Sequence, residues 1–260
     1  MNKFVLKFLF FIFFSTLFAS CQTTSFLPQT QNVPLFTRDS QLRVSTAFTY
    51  RSIELQGAYS PINHFGIILN TQANSHYFMP EIGVGGYYSL NKKIITEIYG
   101  GYGYGKLKFN DTVKSNDVFH NSPSIKYYDV DLKANKYFLQ PAFGIKFNDK
   151  IDLALSFKIC YWDFSKYSYL YRRYEHITEN PNSPITLQYT DSVNVSMGNQ
   201  FSFEPAITFK VGGKYAKFMM QTGIYFLNNS SKGYLNPYNP SPFFIRLGAT
   251  VNVDFRDLKE

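Results

Sequence analysis

Apolar and polar positions alternate in two adjacent stretches of the chain, residues 137–147 and 151–162. In the first stretch every odd-numbered residue is apolar, and the even-numbered ones from 140 to 146 are polar or small. The second stretch repeats the pattern after a short polar connection at 148–150. Period-2 alternation predicts β-strands with one apolar face. Because a usual strand has only about five or six residues, these two predict a hairpin long enough to cross a membrane.

Ten alternating segments follow one another from residue 42 onward. They run over 42–50, 53–59, 65–73, 80–90, 94–109, 136–147, 151–162, 201–211, 217–227 and 243–255. Short connections rich in Asn, Asp and Gly, which suit tight turns, alternate with long polar ones at 110–135, 164–200 and 228–242. We therefore predict an all-β fold, a single antiparallel up-and-down transmembrane β-barrel of ten strands over residues 41–255. Eight strands is the alternative, because Arg51 and Ser52 would have to turn between two weaker segments.

The apolar faces of these segments fit the thickness of a bilayer. Twelve steps of about 3.4 Å, tilted by about 40°, rise roughly 31 Å, which covers the apolar band of about 25 Å that a membrane barrel presents. Aromatic residues stand at both ends of nearly every segment, as they do in interfacial girdles. The alternative is a soluble, lipocalin-like barrel that binds an apolar ligand. In that fold Phe143, Leu155 and Val251 would be buried inside the protein.

The opposite face of the segments carries the charged residues, which we predict to line the lumen. They are Arg43, Glu54, Glu81, Glu97, Lys146, Asp152, Lys158, Glu204, Lys210, Arg246 and Asp254. Mixed signs at this density predict ion pairs, because an unpaired buried charge is costly. Arg43 and Asp254 lie low on the first and last strands, so we predict an ion pair between them across the closing seam. With Phe138, Trp162 and Phe244 also inside, we predict a largely plugged lumen; the alternative is a narrow, wet pore for small solutes.

The N-terminal residues read as an export signal. Residues 1–20 have two early lysines and an apolar core followed by small residues, which is typical of a secretory signal peptide. Residues 17–21, Leu-Phe-Ala-Ser-Cys, resemble the lipobox of bacterial lipoproteins, which implies that Cys21 becomes the acylated N-terminus. Residues 21–40 lack periodicity and are rich in Gln, Thr, Ser and Pro, so we predict a lipid-anchored flexible tether.

Composition narrows the choice of partners and chemistry. The formal net charge is +8, but Lys and Arg are scattered without a basic block, so we predict no nucleic-acid partner. After Cys21 only Cys160 remains, on the polar face of a strand, where we read it as a small interior filler. No catalytic, metal or cofactor motif is present, and we predict a protein that is not an enzyme and uses no cofactor. The alternative is an enzyme, a protease or a lipid-modifying one, that uses His120 and His176 at the outer mouth.

The last segment, FFIRLGATVNVDF, carries a resemblance to a known group. Arg246, Gly248, Val251, Val253 and Phe255 match the signal that the barrel-assembly machinery recognises. From Leu42 on, the chain resembles small outer-membrane β-barrel proteins of Gram-negative bacteria, including barrel lipoproteins in which a tether precedes the barrel.

That resemblance implies short periplasmic turns, long extracellular loops and a periplasmic tail at 256–260. It places the lipid anchor on the periplasmic side. The expected partners are outer-membrane lipid and lipopolysaccharide, the assembly machinery, and an extracellular ligand at the loops. The expected role is envelope integrity or surface interaction.

Overall fold

A computed structural model describes most of the chain after the leader. It covers residues 28–49, 52–91, 93–117, 122–164, 167–177, 185–195, 199–228 and 243–256, with the backbone alone at 109–117, 122–130, 167–177 and 185–195. In this part of the chain no helix is long and apolar enough to cross a membrane. The leader, Cys21 and the 229–242 connection lie outside the described residues.

The described residues form thirteen β-strands. They are β1 (Gln41–Phe48), β2 (Ile53–Ile62), β3 (Phe65–Ala73), β4 (Tyr77–Leu90), β5 (Ile94–Asp117), β6 (Ser122–Lys146), β7 (Ile151–Phe164), β8 (Tyr167–Ile177), β9 (Ile185–Val195), β10 (Asn199–Gly212), β11 (Ala216–Ile224), β12 (Phe226–Asn228) and β13 (Phe243–Asp254).

The strands close into an antiparallel barrel with a ten-strand wall. Each of β1 to β6 pairs with the next strand, β7 pairs with β10, β10 with β11, β11 with β13, and β13 returns to β1. β12 continues β11 past Tyr225 and also pairs with β10. The prediction of a ten-strand, up-and-down barrel is confirmed, and the eight-strand alternative is wrong. We call the end with the short turns after β2, β4, β6 and β10 the turn end, and the opposite end the loop end.

The two faces of the wall differ as the alternation predicts. Phe143, Leu155 and Val251 are 44%, 41% and 49% exposed on the outside, whereas Lys158 and Glu204 are fully buried inside. The apolar faces therefore point away from the interior. This orientation rules out the lipocalin-like alternative, in which those apolar faces would form the inside of the barrel.

Two of the predicted long loops contain strands instead. β5 and β6 stay paired as far as Asp117 and Ser122, so the predicted loop at 110–135 is the upper part of a tall hairpin. β8 and β9 form a separate two-stranded sheet within the predicted loop at 164–200, and β8 runs beside β6. The sequence prediction missed these strands because an apolar outer face is needed only against lipid, whereas backbone pairing continues beyond it.

The segment before β1 lies inside the barrel. Residues 28–36 are all buried, and their hydrogen-bond partners belong to seven of the ten wall strands, as described below. We call residues 28–36 the luminal segment. The sequence predicts these residues to be part of a flexible tether, and the structure instead gives them fixed partners. The chain then turns at the turn end, where Ser40 N donates to Ser60 O at 2.7 Å, and enters β1.

Candidate functional site

The luminal segment runs from the loop end, where residue 28 lies, to the turn end, where Phe36 lies. Phe36 N donates to Glu97 Oε1 at 3.0 Å, and Glu97 lies three residues into β5 from its turn-end start. At the other extreme, Thr30 N donates to Glu54 Oε2 at 2.7 Å, and Glu54 is the second residue of β2 at the loop end. Gln29 Nε2 donates to Met79 O at 2.6 Å, also near the loop end. The segment therefore runs along most of the length of the lumen.

Glutamine side chains of the wall satisfy the backbone of the luminal segment. Gln221 accepts from Gln31 N at 2.8 Å and donates to Gln31 O at 3.0 Å, which reproduces the bonding of a strand neighbour. Gln140 donates to Asn32 O at 2.8 Å, and Gln56 donates to Thr30 O at 2.6 Å. A buried backbone outside regular structure needs such partners, because unpaired N–H and C=O groups are costly.

The side chains of the segment are held as well. Asn32 Nδ2 donates to Gly57 O at 2.9 Å and to Asn70 Oδ1 at 3.0 Å. Gln31 Nε2 donates to Glu204 O. Together with the bonds above, the segment is joined to β2, β3, β4, β5, β6, β10 and β11. Contacts on so many sides fix its position in the lumen.

Apolar residues of the segment pack where the wall has small side chains. Val33 and Leu35 share a buried cluster with Ile95, Ala142 and Ala154. A Cβ placed on Gly144 would stand only 3.1 Å from Leu35 Cδ1, so a larger residue at position 144 would displace the segment. The wall therefore leaves a space that the segment fills.

Two clusters of buried charge occupy the loop end of the lumen. Glu81 forms ion pairs with Lys136 at 2.7 Å and with Lys158 at 2.6 Å. Glu54 forms an ion pair with Arg246, and Glu54 also accepts from Gln72 Nε2 at 2.9 Å. All three cations therefore have a carboxylate partner, as buried charges require.

Aromatic side chains flank the same cations. Lys136 Nζ lies 4.6 Å from the centroid of the Trp162 ring, and Lys158 Nζ lies 4.3 Å from that of Phe138. Trp162, Phe138 and Phe244 are buried, as the sequence predicts. Cation–π contact adds to the stabilisation of cations that have lost their water.

The turn end holds a cavity of about 530 Å³ that opens between the short turns and ends against Pro34 of the luminal segment. We call it the turn-end cavity. Seven cationic and three acidic side chains line it. Lys217 pairs with Asp152 at 2.8 Å, and Lys210 Nζ donates to Val33 O at 2.6 Å.

The prediction of an ion pair between Arg43 and Asp254 is wrong, because Asp254 binds a different arginine. β1 and β13 are neighbours, but Arg43 lies opposite Asn252 and Gln41 lies opposite Asp254. Asp254 Oδ2 instead accepts from Arg38 Nε at 2.9 Å and from Gln41 Nε2 at 2.7 Å. The seam is therefore bridged by a residue that precedes β1, which strand counting cannot place.

The structure brings the predicted luminal charges together inside the barrel. Nine are buried, namely Arg43, Glu54, Glu81, Glu97, Asp152, Lys158, Glu204, Lys210 and Arg246, while Lys146 and Asp254 are half-buried at the turn end. Sequence reasoning missed Lys136 and Lys217, although both share the alternation of the inward faces. It also missed the luminal segment, whose only signal is a run of amide and hydroxyl side chains at 29–32.

The residues of the predicted assembly signal all lie on β13 or directly after it. Arg246 points inward and Val251 outward. Gly248 lies beside β1, where an added Cβ would come within 2.9 Å of the Thr46 carbonyl carbon. A glycine is therefore required for β13 to approach β1 this closely. Recognition by the assembly machinery stays a prediction.

Two described residues with reactive side chains, His64 and Cys160, have defined surroundings. His64 Nδ1 lies 3.2 Å from Tyr87 O, and its ring stacks on Tyr88. No group of three His, Cys, Asp or Glu side chains in the described part of the chain could hold a metal ion. Cys160 is buried, with Sγ 3.6 Å from Glu204 Oε1. His120 and the side chain of His176 lie outside what the structure describes.

Comparison with known proteins gives only distant likenesses in overall structure. No family model and no curated protein matches the chain. The KdgM porin is similar over 81% of this chain and 98% of its own, with 11% identity and a TM-score of 0.34. The same porin in complex with disordered oligogalacturonate gives 0.35, and the CymD monoaromatic hydrocarbon channel gives 0.25, with 7% identity over 83% of this chain and 88% of its own. These likenesses are too distant to say what the chain does.

Proposed function

We propose that this protein is an outer-membrane β-barrel lipoprotein whose lumen is closed by its own N-terminal segment, and that it acts at the cell envelope through its surface. The observation that carries the proposal is the luminal segment, which seven strands of the wall hold by hydrogen bonds. Because the segment occupies the interior of the barrel, we expect the protein to act through the groups on its outer surface and not by transport or catalysis.

The outer surface supports placement in a membrane. Large apolar side chains are half exposed all around the wall, as at Ile53, Leu69, Ile98 and Ile207. Soluble proteins rarely expose a continuous apolar patch of more than a few hundred Å². A barrel has no unpaired strand edge, so its backbone is satisfied in lipid as well. The outer membrane is the bilayer in which such barrels occur.

Aromatic residues on the outer surface support the same placement. Near the loop end, Tyr137, Tyr161 and Phe201 on neighbouring strands contact one another, with ring centroids 6.2 and 5.1 Å apart. Near the turn end, Tyr59 contacts Phe255 at 6.3 Å. Aromatic rings at two levels of the wall correspond to the girdles that mark the two membrane interfaces.

The direction of the luminal segment argues for a lipid anchor at the cell surface, and against the periplasmic anchor that the family resemblance implies. Residue 29 is bound near the loop end, and six residues, 22–27, lie between Cys21 and Pro28. The seven Cα–Cα steps from Cys21 to Pro28 reach about 25 Å at most, and the lumen behind them is occupied by the segment itself. With the turns in the periplasm, an acylated Cys21 would enter the outer leaflet.

Accessibility of two epitope tags in intact cells tests this topology. A tag inserted after Thr24 should be labelled by antibody without permeabilisation, because the chain enters the lumen from the loop end. A tag after Glu260, on the turn side, is the matched control and should need permeabilisation. Labelling of the Thr24 tag only in permeabilised cells would overturn the surface anchor.

Ion conductance in a planar bilayer tests the closed lumen. The purified wild-type protein should give little steady current. Deletion of residues 22–36 keeps Cys21 and the wall but removes the luminal segment, and it should produce a steady open current. The control replaces residues 22–27 by six Gly and Ser residues, which keeps the reach between Cys21 and Pro28, and it should stay closed. A large, steady current from the wild type, equal to that of the longer deletion, would exclude the closed lumen and favour a narrow pore.

A further inference from the structure

Among the described residues, the lining of the turn-end cavity carries more positive than negative charge. Its lining contains four more cationic than acidic side chains. Glu97, buried near the lining, reduces this excess to three if it is counted as ionised. Such an excess favours the binding of an anion, because positive charges held close together at low dielectric repel one another.

The acidic groups nearest Arg43 already have partners. Arg43 faces Asp152, Asp254 and Glu97. Asp152 pairs with Lys217, Asp254 with Arg38, and Glu97 accepts from the backbone of Phe36. Asp152 Oδ1 and Glu97 Oε2 keep no hydrogen bond of their own, but within the described residues none of the three carboxylates bonds the Arg43 guanidinium.

Apart from the exposed Lys93, the cations of this cavity without a partner among the described residues are Arg43 and Lys146. Arg43 is only 8% exposed, yet neither side chain has a hydrogen bond or an ion pair within the described residues. Both line the cavity. A guanidinium buried to this extent normally binds a carboxylate or phosphate through its planar fork of donors. Arg43 and Lys146 thus border the same cavity with donors that no described protein group accepts from.

We propose that the turn-end cavity binds a small, soluble anion that carries phosphate or carboxylate groups, with Arg43 and Lys146 as its direct contacts. A volume of about 530 Å³ lies within the range of small-molecule sites. The opening lies inside the ring of turns, which lipid headgroups outside the wall do not enter. The ligand therefore reaches the site from the aqueous side of the turn end, and Pro34 stops it from passing further.

Calorimetric titration of the full-length protein in non-ionic detergent, with inorganic pyrophosphate and with citrate at constant ionic strength, tests the site. One saturable site is expected for at least one of the two anions, and comparing them distinguishes phosphate from carboxylate chemistry. Arg43→Gln and Lys146→Gln should each weaken binding about tenfold or more, which corresponds to one lost charge-assisted hydrogen bond.

Lys106→Gln is the matched control, since it removes one positive charge from a half-exposed side chain that does not line the cavity. The affinity of this variant for the anion should equal that of the wild type. If Arg43→Gln fails to fold, Lys146→Gln and Arg43→Lys decide the question, because Arg43→Lys keeps the charge and loses the fork. The proposal is overturned if neither anion saturates the wild type, or if the Arg43 and Lys146 variants bind as tightly as Lys106→Gln.

This site does not depend on the closed lumen. Binding that persists in a protein that conducts would leave the anion site standing and remove the proposed closure. A barrel that does not conduct and binds neither anion would support the closed lumen and remove the proposed anion site.

Discussion

At the loop end of the lumen Glu54 and Glu81 hold three buried cations between them, whereas at the turn end cations outnumber carboxylates around an open cavity. The two ends differ in their charge balance because water reaches the turn-end cavity but not the enclosed charges at the loop end. A charge enclosed on all sides must meet its counter-charge within the protein, because desolvation costs several kcal/mol per ion. A charge that faces a cavity keeps water or a mobile anion as its partner, so the local balance need not be zero.

The largest expected effect comes from breaking the enclosed cluster. Glu81→Ala leaves Lys136 and Lys158 fully buried without a counter-charge, so the free energy of unfolding should fall by about 3–5 kcal/mol. Urea unfolding of the lipid-reconstituted protein, followed by Trp162 fluorescence, measures the change. The variant with Glu81→Leu, Lys136→Met and Lys158→Met together should regain most of the loss. A loss below about 1 kcal/mol in Glu81→Ala would mean that water reaches this cluster.

A smaller effect is expected for the corresponding change at the turn end. Asp152→Asn removes the partner of Lys217. Both side chains are buried, but they line the turn-end cavity, so water lies closer to the remaining Lys217 ammonium than to Lys136 or Lys158. The free energy of unfolding should fall by about 1–3 kcal/mol in the same assay. A loss as large as that of Glu81→Ala would contradict the distinction between the two ends.

The smallest effect is expected at the rim of the cavity. Arg38 is one-third exposed in its pair with Asp254, and Gln41 still donates to Asp254 after Arg38→Ala. The loss should therefore be below about 1 kcal/mol. It should shrink further as salt is added, because exposed pairs are screened. A loss that is independent of salt would indicate that Arg38 acts by packing.

Alternation was sufficient to predict the wall but not what the wall encloses. Period 2 fixes which side chains share a face, so the inward placement of Glu81 or Lys158 follows from sequence alone. Which inward charges meet depends on the stagger between strands, and that stagger brings Gln41, not Arg43, opposite Asp254. The luminal segment shows no alternation of polar and apolar residues, because its hydrogen-bond partners lie on several strands around the wall and not along one neighbouring strand.

Enclosure of the luminal segment also constrains how the barrel can form. If Cys21 already carries acyl chains when the wall assembles, the bulky N-terminus cannot be drawn through a finished ring. The sheet would have to wrap around residues 28–36 while it is still open, and the pairing of β1 with β13 would be the last to form. Residues 29–32 would then serve as the core around which the strands assemble. Substitutions at these positions would slow membrane insertion even where the mature protein tolerates them.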